Sequence, residues 1–223
     1  MFYLSCQKNI AMRILIVAAT LFEVESLKFK VESGAMNPEL SIIHFLITGA
    51  GMVATSFVLG KHLATNQYDL AINLGIAGSF DSSIALGDVI EITEDTLAEL
   101  GAEDDENFIT IDKLGFGESV FRSTYALPAH FNLRKASAIT VNTVHGNEAS
   151  IEKLSNRINS QIESMEGAAF FYCCREMGVP CMQIRAVSNY VEKRNRDAWQ
   201  IGLAIKNLNT FAWELVNSEL LIG

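Results

Sequence analysis

The chain has 223 residues, of which 49% are hydrophobic and 19% are charged, with a formal net charge of −9 and an isoelectric point near 4.9. This balance excludes intrinsic disorder, which needs few apolar residues and high charge, and it allows a sizeable buried core. The lysines and arginines are scattered along the chain rather than gathered in a basic stripe. We therefore expect no nucleic acid among its partners.

The sequence carries no pattern typical of membrane insertion or export. No apolar run reaches the ~18 residues of a membrane span, and the first eleven residues lack the long apolar region of a signal peptide. We expect a cytoplasmic protein with no membrane partner, in which residues 1–11 form a short extension and residues 12–223 form one domain. The cysteines at positions 173, 174 and 181 stand in apolar sequence without metal-ligand spacing, which favours buried side chains in a reducing compartment.

Short apolar runs alternate with longer amphipathic segments. The runs that predict strands are Arg13–Ala19, Ser41–Thr48, Leu70–Ala77, Gly87–Thr93, Ser137–Val144 and Cys181–Ser188. The segments that predict helices are Leu21–Val31, Met52–Asn66, Glu148–Asn159, Glu166–Met177 and Arg196–Leu220. This order predicts a three-layer α/β/α sandwich, and its central sheet should be mixed because no helix separates the strands between residues 70 and 93. The irregular, locally acidic stretch Glu94–Ala136 indicates a solvated loop.

A glycine-rich turn, Gly49-Ala50-Gly51-Met52-Val53-Ala54, matches the G-x-G-x-x-A pattern of dinucleotide-binding proteins. Two features argue against that interpretation. The turn follows the second predicted strand rather than the first, and the acidic residue that should end the next strand, Asp69, stands at its beginning instead. We therefore expect no nicotinamide, flavin or other cofactor.

Polar and glycine-rich segments at the strand ends follow one another in a characteristic order. These segments are Ala18–Glu25, Thr48–Gly51, Asn73–Gly78, Gly87–Val89, Ser164–Ala169 and Arg185–Asn189. In order and spacing they resemble the nucleoside phosphorylase and nucleosidase superfamily, from about residue 13 to residue 190. Met-Glu-Gly-Ala-Ala at 165–169, followed by Arg-x-x-Ser-Asn at 185–189, is the most specific part. The resemblance implies that fold, a purine nucleoside as small-molecule substrate and a homo-oligomer, in most cases a dimer.

Two further segments, Leu100–Asp104 and Asn195–Trp199, resemble the futalosine hydrolase branch of this superfamily, whose members act in menaquinone biosynthesis. The resemblance implies hydrolysis of futalosine to hypoxanthine and dehypoxanthine futalosine. A methylthioadenosine or adenosylhomocysteine nucleosidase and a non-enzymatic nucleotide-binding module remain open as alternatives. The methylthioadenosine enzymes, however, carry Asp where Asn189 stands, and usually Ser where Ile76 stands.

Residue matches to the superfamily imply individual roles. Glu23 matches the acid that activates water, Arg185 a residue near that water, and Asn189 the residue that recognises the purine and assists its departure. Further substrate contacts are implied for Met165, Glu166, Ala77, Gly78, Thr143, Val144 and Ser188. The loop that stacks on the purine differs from that of the methylthioadenosine nucleosidases, because Asn142–Gly146 replaces their Gly-Asp-x-Phe.

The residue types suit the chemistry that the resemblance implies. Cleavage of a ribosyl–purine bond needs one group that activates water and another that assists the leaving base. Glu23 could accept a proton from water, and the Glu166 carboxylate could chelate two ribose hydroxyls. The Asn189 amide could donate to O6 of a 6-oxopurine and accept from a protonated N7. Each residue also has a purely structural interpretation, since Glu23 and Glu166 begin helices and Asn189 ends a strand.

Water rather than phosphate is the expected nucleophile. The first strand lacks the Gly-Asp-x-x-x-Arg pattern of phosphorylases, and Ile76 offers no hydroxyl to an anion. Arg194 and Arg196 follow Asn189 closely and could hold the carboxylate of a carboxyphenyl tail, or could be solvated at the surface. The histidines show no spacing of metal ligands, so no metal is expected, and His145 alone lies in the region of the purine loop.

Overall fold

The computed structural model describes residues 11–35 and 41–218, and the predicted strands and helices are present near their expected positions. The strands are β1 (Met12–Ala18), β2 (Ser41–Ile47), β3 (Leu70–Ser79), β4 (Val89–Leu97), β5 (Gly101–Asp104), β6 (Asn107–Thr110), β7 (Val120–Arg122), β8 (Arg134–Thr140), β9 (Ile162–Ser164) and β10 (Cys181–Tyr190). The helices are α1 (Glu25–Glu32), α2 (Met52–Leu63), α3 (Glu148–Ser155), α4 (Gly167–Glu176) and α5 (Ile201–Val216).

Several predicted boundaries were wrong or fall outside the described residues. Strand β8 ends at Thr140 rather than at Val144, and α5 begins at Ile201 after a separate 3-10 turn at Arg196–Ala198. Residues 1–10 of the predicted extension, which include Cys6, lie outside the described residues. The predicted end of the last helix at Leu220 also lies outside them. The division into an extension and one domain therefore stays a prediction.

One mixed sheet forms the centre of the fold, with strand order β10-β4-β8-β9-β3-β1-β2 and β7 paired to β4. Strand β3 runs parallel to β1 and β10, and β1 runs parallel to β2. Strand β4 runs antiparallel to β10, and β9 runs antiparallel to β3. Because β10 pairs with both β4 and β3, part of the sheet closes into a ring from which β1 and β2 extend. The mixed sheet predicted from the sequence is confirmed.

Alternate residues of the central strands supply a separate core on each face of the sheet. One core gathers Ile14, Ile16 and the buried side of α5, and the other gathers Leu15, Val17 and the buried sides of α2 and α4. Full burial of one such side chain contributes about 1.5–3 kcal/mol. The apolar continuity of β1 thus reflects helices on both faces, which confirms the α/β/α sandwich.

The stretch Glu94–Ala136 is more ordered than predicted. Strands β5 and β6 form a hairpin there, and β7 joins the main sheet with the side chain of Phe121 buried. The acidic residues 103–106 lie on this hairpin and are exposed, as expected for a solvated run. Strands of three or four residues are too short to show a periodic pattern, which explains why the sequence did not reveal them.

Among residues 11–35 and 41–218, no helix is long and apolar enough to cross a membrane. Three of the cysteines, at positions 173, 174 and 181, are buried free thiols, as their apolar sequence predicted.

Candidate active site

A cavity of about 370 Å³ opens at the carboxyl ends of β1, β3 and β10. Eight of the predicted site residues line it, namely Glu23, Ala77, Gly78, Val144, Met165, Glu166, Ser188 and Asn189. Arg194 lines it too. Ligands gather at this end of parallel strands because polar loops converge there.

Three predicted residues do not line the cavity. Thr143 and Arg196 have exposed side chains, and Arg185 is only 1% exposed beneath the cavity floor. Thr143 differs from expectation because β8 ends earlier than predicted, and the loop that follows brings Val144 and His145 to the cavity instead. A direct contact of Thr143 with the ligand is not supported by this geometry.

Glu23 is held at the cavity wall by hydrogen bonds to its carboxylate. Its Oε2 accepts from the backbone N of Thr20 at 2.9 Å and from the Thr20 hydroxyl at 3.0 Å, while Oε1 accepts from the backbone N of Ile76 at 3.2 Å. The side chain is 7% exposed. A carboxylate offers about four acceptor positions, so one position on Oε1 is left for a water molecule.

Glu166 is the N-cap residue of α4, and its side chain joins the start of that helix to the glycine turn. Its Oε1 accepts from the backbone N of Gly51 at 2.9 Å, and Gly51 has a φ of +92° that an L side chain rarely adopts. The glycine turn at 49–54, which resembled a dinucleotide-binding pattern, therefore donates the backbone N–H of Gly51 to the carboxylate of Glu166. Oε2 of Glu166 is left for a ligand, beside Met165 in the same cavity wall.

Asn189 is directed into the cavity by an irregularity in β10. Val187 pairs with Ala77 and Asn189 with Gly78, so Ser188 is an extra residue of the strand. Such bulges re-aim side chains near active sites. The Ser188 hydroxyl donates to Oδ1 of Asn189 at 2.8 Å, and Nδ2 of Asn189 donates to the carbonyl of Tyr190 at 3.0 Å.

A buried polar network lies beneath the cavity, and the sequence analysis identified only its Arg185. Nε of Arg185 donates to Oε1 of Gln183 at 2.9 Å, and Nη2 donates to Oδ1 of Asn73 at 2.5 Å. Nη1 of Arg185 lies against Gly75, so a β carbon at position 75 would collide with the guanidinium. The same β carbon would lie 3.1 Å from Oε1 of Glu23, which places the carboxylate on that side of Gly75 too. Glycine at position 75 therefore lets the cation approach the Glu23 carboxylate.

Asp95 anchors the other end of this network. It is fully buried, and accepts from Nε2 of Gln183 at 2.9 Å and from the Thr140 hydroxyl at 2.8 Å. Thr140 in turn accepts from the backbone N of Ala168, in the first turn of α4. Burial raises the pKa of Asp95 to about 6, although hydrogen bonds from Gln183 and Thr140 oppose the rise. The network thus ties the floor of the cavity to the helix that begins at Glu166.

His145 and Glu163 form a hydrogen-bonded pair in the cavity, and the sequence indicated only His145. His145 binds Glu163 twice, through Nδ1 to Oε2 and through its backbone N to Oε1 at 2.9 Å. Burial raises the pKa of Glu163 above its usual value, although the hydrogen bonds from His145 oppose the rise. His145 was noted from its place in the loop, but Glu163 lies in a three-residue strand without any recognisable motif.

The fold and the site together place the chain in a known family. Residues 13–217 match the family model of the Phosphorylase superfamily, and the chain belongs to that superfamily. The match covers every residue that lines the cavity.

Two proteins that are similar to this chain in sequence are futalosine hydrolases. The futalosine hydrolase of Streptomyces coelicolor is 34% identical over 150 residues, which cover 63% of this chain and 62% of that protein, slightly less than two thirds of its length. The futalosine hydrolase of Thermus thermophilus is 27% identical over 183 residues, with 78% of this chain and 81% of that protein covered.

A solved structure shows the same fold. The 5′-methylthioadenosine/S-adenosylhomocysteine nucleosidase of Colwellia psychrerythraea, solved in complex with adenine, superposes with a TM-score of 0.76 at 18% identity. The alignment covers 93% of this chain and 95% of that one.

Proposed function

We propose that this chain hydrolyses the N-glycosidic bond of futalosine and releases hypoxanthine and dehypoxanthine futalosine. The observation that carries the proposal is one cavity lined by three residues: Glu23, a carboxylate with a free acceptor position, a second carboxylate, Glu166, and an amide, Asn189. The futalosine hydrolases among the relatives give this chemistry its substrate.

Glu23 activates the attacking water. Thr20 and Ile76 fix its carboxylate, and the remaining acceptor position on Oε1 takes a proton from water as the bond to the base breaks. Arg185 approaches the same side of Gly75 and places a positive charge near the carboxylate without entering the cavity. We assign Arg185 a positioning role rather than a contact with substrate.

The sugar is held by Glu166 and Met165. Oε2 of Glu166 accepts hydrogen bonds from the ribose 2′- and 3′-hydroxyls, and the Met165 side chain packs against the ring. These contacts hold the sugar while positive charge develops at its anomeric carbon. Asn189 holds the other partner of the breaking bond, with Nδ2 donating to O6 and Oδ1 accepting from the protonated N7.

Phosphate has no evident binding group beside the proposed water. The hydroxyl of Thr20 is already donated to Glu23, and position 76 supplies an isoleucine side chain. Among the described residues that line the cavity, Arg194 is the one arginine, and its guanidinium lies over the Trp199 ring. These contacts support water as the nucleophile.

Arg194 and Trp199 fit the carboxyphenyl tail of the substrate. The guanidinium of Arg194 lies 5.3 Å from the centroid of the Trp199 ring, and both line the cavity. A stacked arginine and indole can receive an aromatic ring and its carboxylate together. Arg196, whose side chain is exposed, has its guanidinium 5.9 Å from the centroid of the same ring and adds positive charge to this end.

We further propose that the chain acts in the cytoplasm, in menaquinone biosynthesis, as a homo-oligomer. Exposed apolar side chains support association. Val53, Phe57 and Phe116 are 77%, 69% and 80% exposed around a second cavity of about 800 Å³, and apolar patches of this kind mark interaction surfaces. Light scattering on purified protein measures the number of subunits.

The proposed reaction is tested by incubating purified protein with futalosine, methylthioadenosine, adenosylhomocysteine and inosine, with chromatography of the released base. Hypoxanthine should appear from futalosine at the highest kcat/KM. Added phosphate should not accelerate release, and no sugar 1-phosphate should appear in the phosphorus NMR spectrum. Faster release of adenine from methylthioadenosine, or formation of a sugar phosphate, would contradict the proposal.

A further inference from the structure

Glu163 is a third carboxylate in the cavity, and the proposed reaction leaves it without a role. It lies on β9 with 4% exposure, and both of its oxygens are engaged by His145. His145 itself lines the cavity, and Nδ1 is the ring nitrogen that faces Glu163. The other ring nitrogen, Nε2, is therefore the one available to a ligand.

The contact with Glu163 fixes the tautomer of the neutral imidazole. An ionised carboxylate only accepts hydrogen bonds, so Nδ1 carries the hydrogen and Nε2 keeps its lone pair. The backbone N of His145, at 2.9 Å from Oε1, adds a second donor that favours the ionised form of Glu163. The cavity thus presents a hydrogen-bond acceptor at this point.

The pair lies beside Asn189. Glu163 on β9 is directly opposite Gly78 on β3 in an antiparallel ladder, where opposite side chains project to the same face. A β carbon on Gly78 would lie 3.2 Å from Nδ2 of Asn189. Glu163 and Asn189 therefore flank the same glycine, and His145 reaches the cavity next to the amide that reads the base.

We propose that His145, oriented by Glu163, is a second base-reading residue, and that its Nε2 accepts the N1 hydrogen of a 6-oxopurine. The inference deepens the proposed function and rests on it. O6 of the base lies between N7 and N1, so a residue adjacent to Asn189 is placed to meet N1 while Asn189 meets N7 and O6. Adenine has a lone pair at N1, which would oppose the lone pair on Nε2. The pair thereby selects hypoxanthine over adenine.

The Glu163→Gln variant separates this role from a structural one, because it should invert the tautomer. The glutamine oxygen can still accept from the backbone N of His145, while its amide donates to Nδ1. The hydrogen of the ring then moves to Nε2, which becomes a donor suited to N1 of adenine. The ratio of kcat/KM for futalosine to that for aminodeoxyfutalosine, which carries adenine on the same tail, should fall by at least about tenfold. A loss of equal factor on both substrates would overturn the inference.

Binding of free bases gives a readout that does not depend on turnover. By calorimetry, the wild type should bind hypoxanthine at least about tenfold more tightly than 1-methylhypoxanthine, which lacks the N1 hydrogen. His145→Phe keeps a ring and removes Nε2, so this preference should disappear, and this variant also serves if Glu163→Gln does not fold. Equal discrimination by the wild type and His145→Phe would refute the assignment.

Different outcomes contradict the role of His145 and the proposed hydrolysis of futalosine. If the wild type hydrolyses futalosine but the base preference is unchanged in Glu163→Gln and His145→Phe, the inference is wrong and the proposed function stands. If the wild type releases no base from futalosine, the proposed function is wrong. Calorimetry with hypoxanthine, 1-methylhypoxanthine and adenine then still decides whether the pair reads N1.

Discussion

The amide of Gly51 donates to Oε1 of Glu166 at 2.9 Å and so connects the turn after β2 to the start of α4. This contact uses one oxygen of the carboxylate and leaves Oε2 for the proposed bonds to the ribose, at a residue that lines the cavity. Gly51 has a φ of +92°, a conformation that an L side chain rarely adopts, so glycine suits this position of the turn. The glycine-rich turn is thus a support for a ligand-binding carboxylate.

Glu166→Gln should preserve this support and weaken sugar recognition. The amide oxygen can still accept from Gly51, but the charge-assisted bonds to the ribose hydroxyls are lost, and such bonds are worth roughly 1.5–3 kcal/mol. We expect kcat/KM to fall about ten- to a hundredfold on the ribonucleoside, and less on its 2′-deoxy analogue. Glu176→Gln, at the exposed far end of α4, is the matched control and should leave both rates unchanged. Equal losses on both substrates would indicate a structural role for Glu166.

Glu23→Gln should abolish most turnover while retaining the fold. The amide oxygen can replace Oε2 as acceptor for Thr20, but the amide nitrogen then faces the N–H of Ile76 and cannot take a proton from water. Loss of a general base costs about 10²–10⁴-fold in kcat. Glu25→Gln, two residues further on an exposed position of α1, controls for the change in charge. Near-normal kcat in a variant with native circular dichroism would remove Glu23 from the mechanism.

The sequence predicted the strand ends of the site better than the parts beneath it. The runs that became β1, β3 and β10 are apolar because both faces of the sheet are covered, so their ends could be located by composition alone. Glu23 follows β1 and Asn189 lies near the end of β10, and both line the cavity. Glu166, which also lines it, follows the short strand β9 and was indicated by the Met-Glu-Gly-Ala-Ala segment instead.

Contacts between distant segments could not be predicted in the same way. Asp95 and Gln183 are 88 positions apart, and their hydrogen bond depends on the pairing of β4 with β10, which no local pattern specifies. Glu163 lies in a strand too short to be recognised. The direction of a side chain on a strand was also not predicted. Arg185 lies on β10, whose end reaches the cavity, but its side chain is buried beneath the cavity and does not line it.

Asp95 should make stability depend on pH in an unusual direction. Its pKa of about 6 in the folded protein lies above the 3.8 of an unperturbed aspartate, so the folded state binds more protons between these values. The stability that Asp95 contributes is present below about pH 4 and is lost as the pH rises through about 6, by up to about 3 kcal/mol. In urea unfolding from pH 4 to pH 7, Asp95→Asn should therefore gain stability relative to the wild type as the pH rises.

Asp112 provides a control of opposite sign for this measurement. Hydrogen bonds from Ser119 and Thr110 lower the pKa of its carboxyl, so its contribution is present at neutral pH and is lost as the pH falls. Because that loss falls near and below the 3.8 of an unperturbed aspartate, Asp112→Asn should keep a nearly constant difference from the wild type between pH 4 and pH 7. If Asp95→Asn and the wild type kept a constant difference across this range, the raised pKa of Asp95 would be refuted.

Asn189 is expected to decide between 6-oxo and 6-amino purines together with its neighbours. Asn189→Asp replaces the Nδ2 donor by an acceptor, which would oppose both O6 of hypoxanthine and the carbonyl of Tyr190 that Nδ2 now binds at 3.0 Å. An unmet buried polar group costs about 1–3 kcal/mol, so kcat/KM on futalosine should fall roughly ten- to a hundredfold. A protonated aspartate can donate to N7 and accept from the 6-amino group, so the loss on aminodeoxyfutalosine should be smaller.

The ratio of kcat/KM values for these two substrates measures the role of Asn189, because they share the tail and differ in the base. Ser188→Ala serves as a companion variant, since it removes the hydroxyl that donates to Oδ1 at 2.8 Å but keeps the amide. Without that donor the amide can turn, and Ser188→Ala should shift the ratio in the same direction as Asn189→Asp, by a smaller factor. If Asn189→Asp leaves the ratio as it is in the wild type, Asn189 does not read the base, and selection must come from the other residues around Gly78.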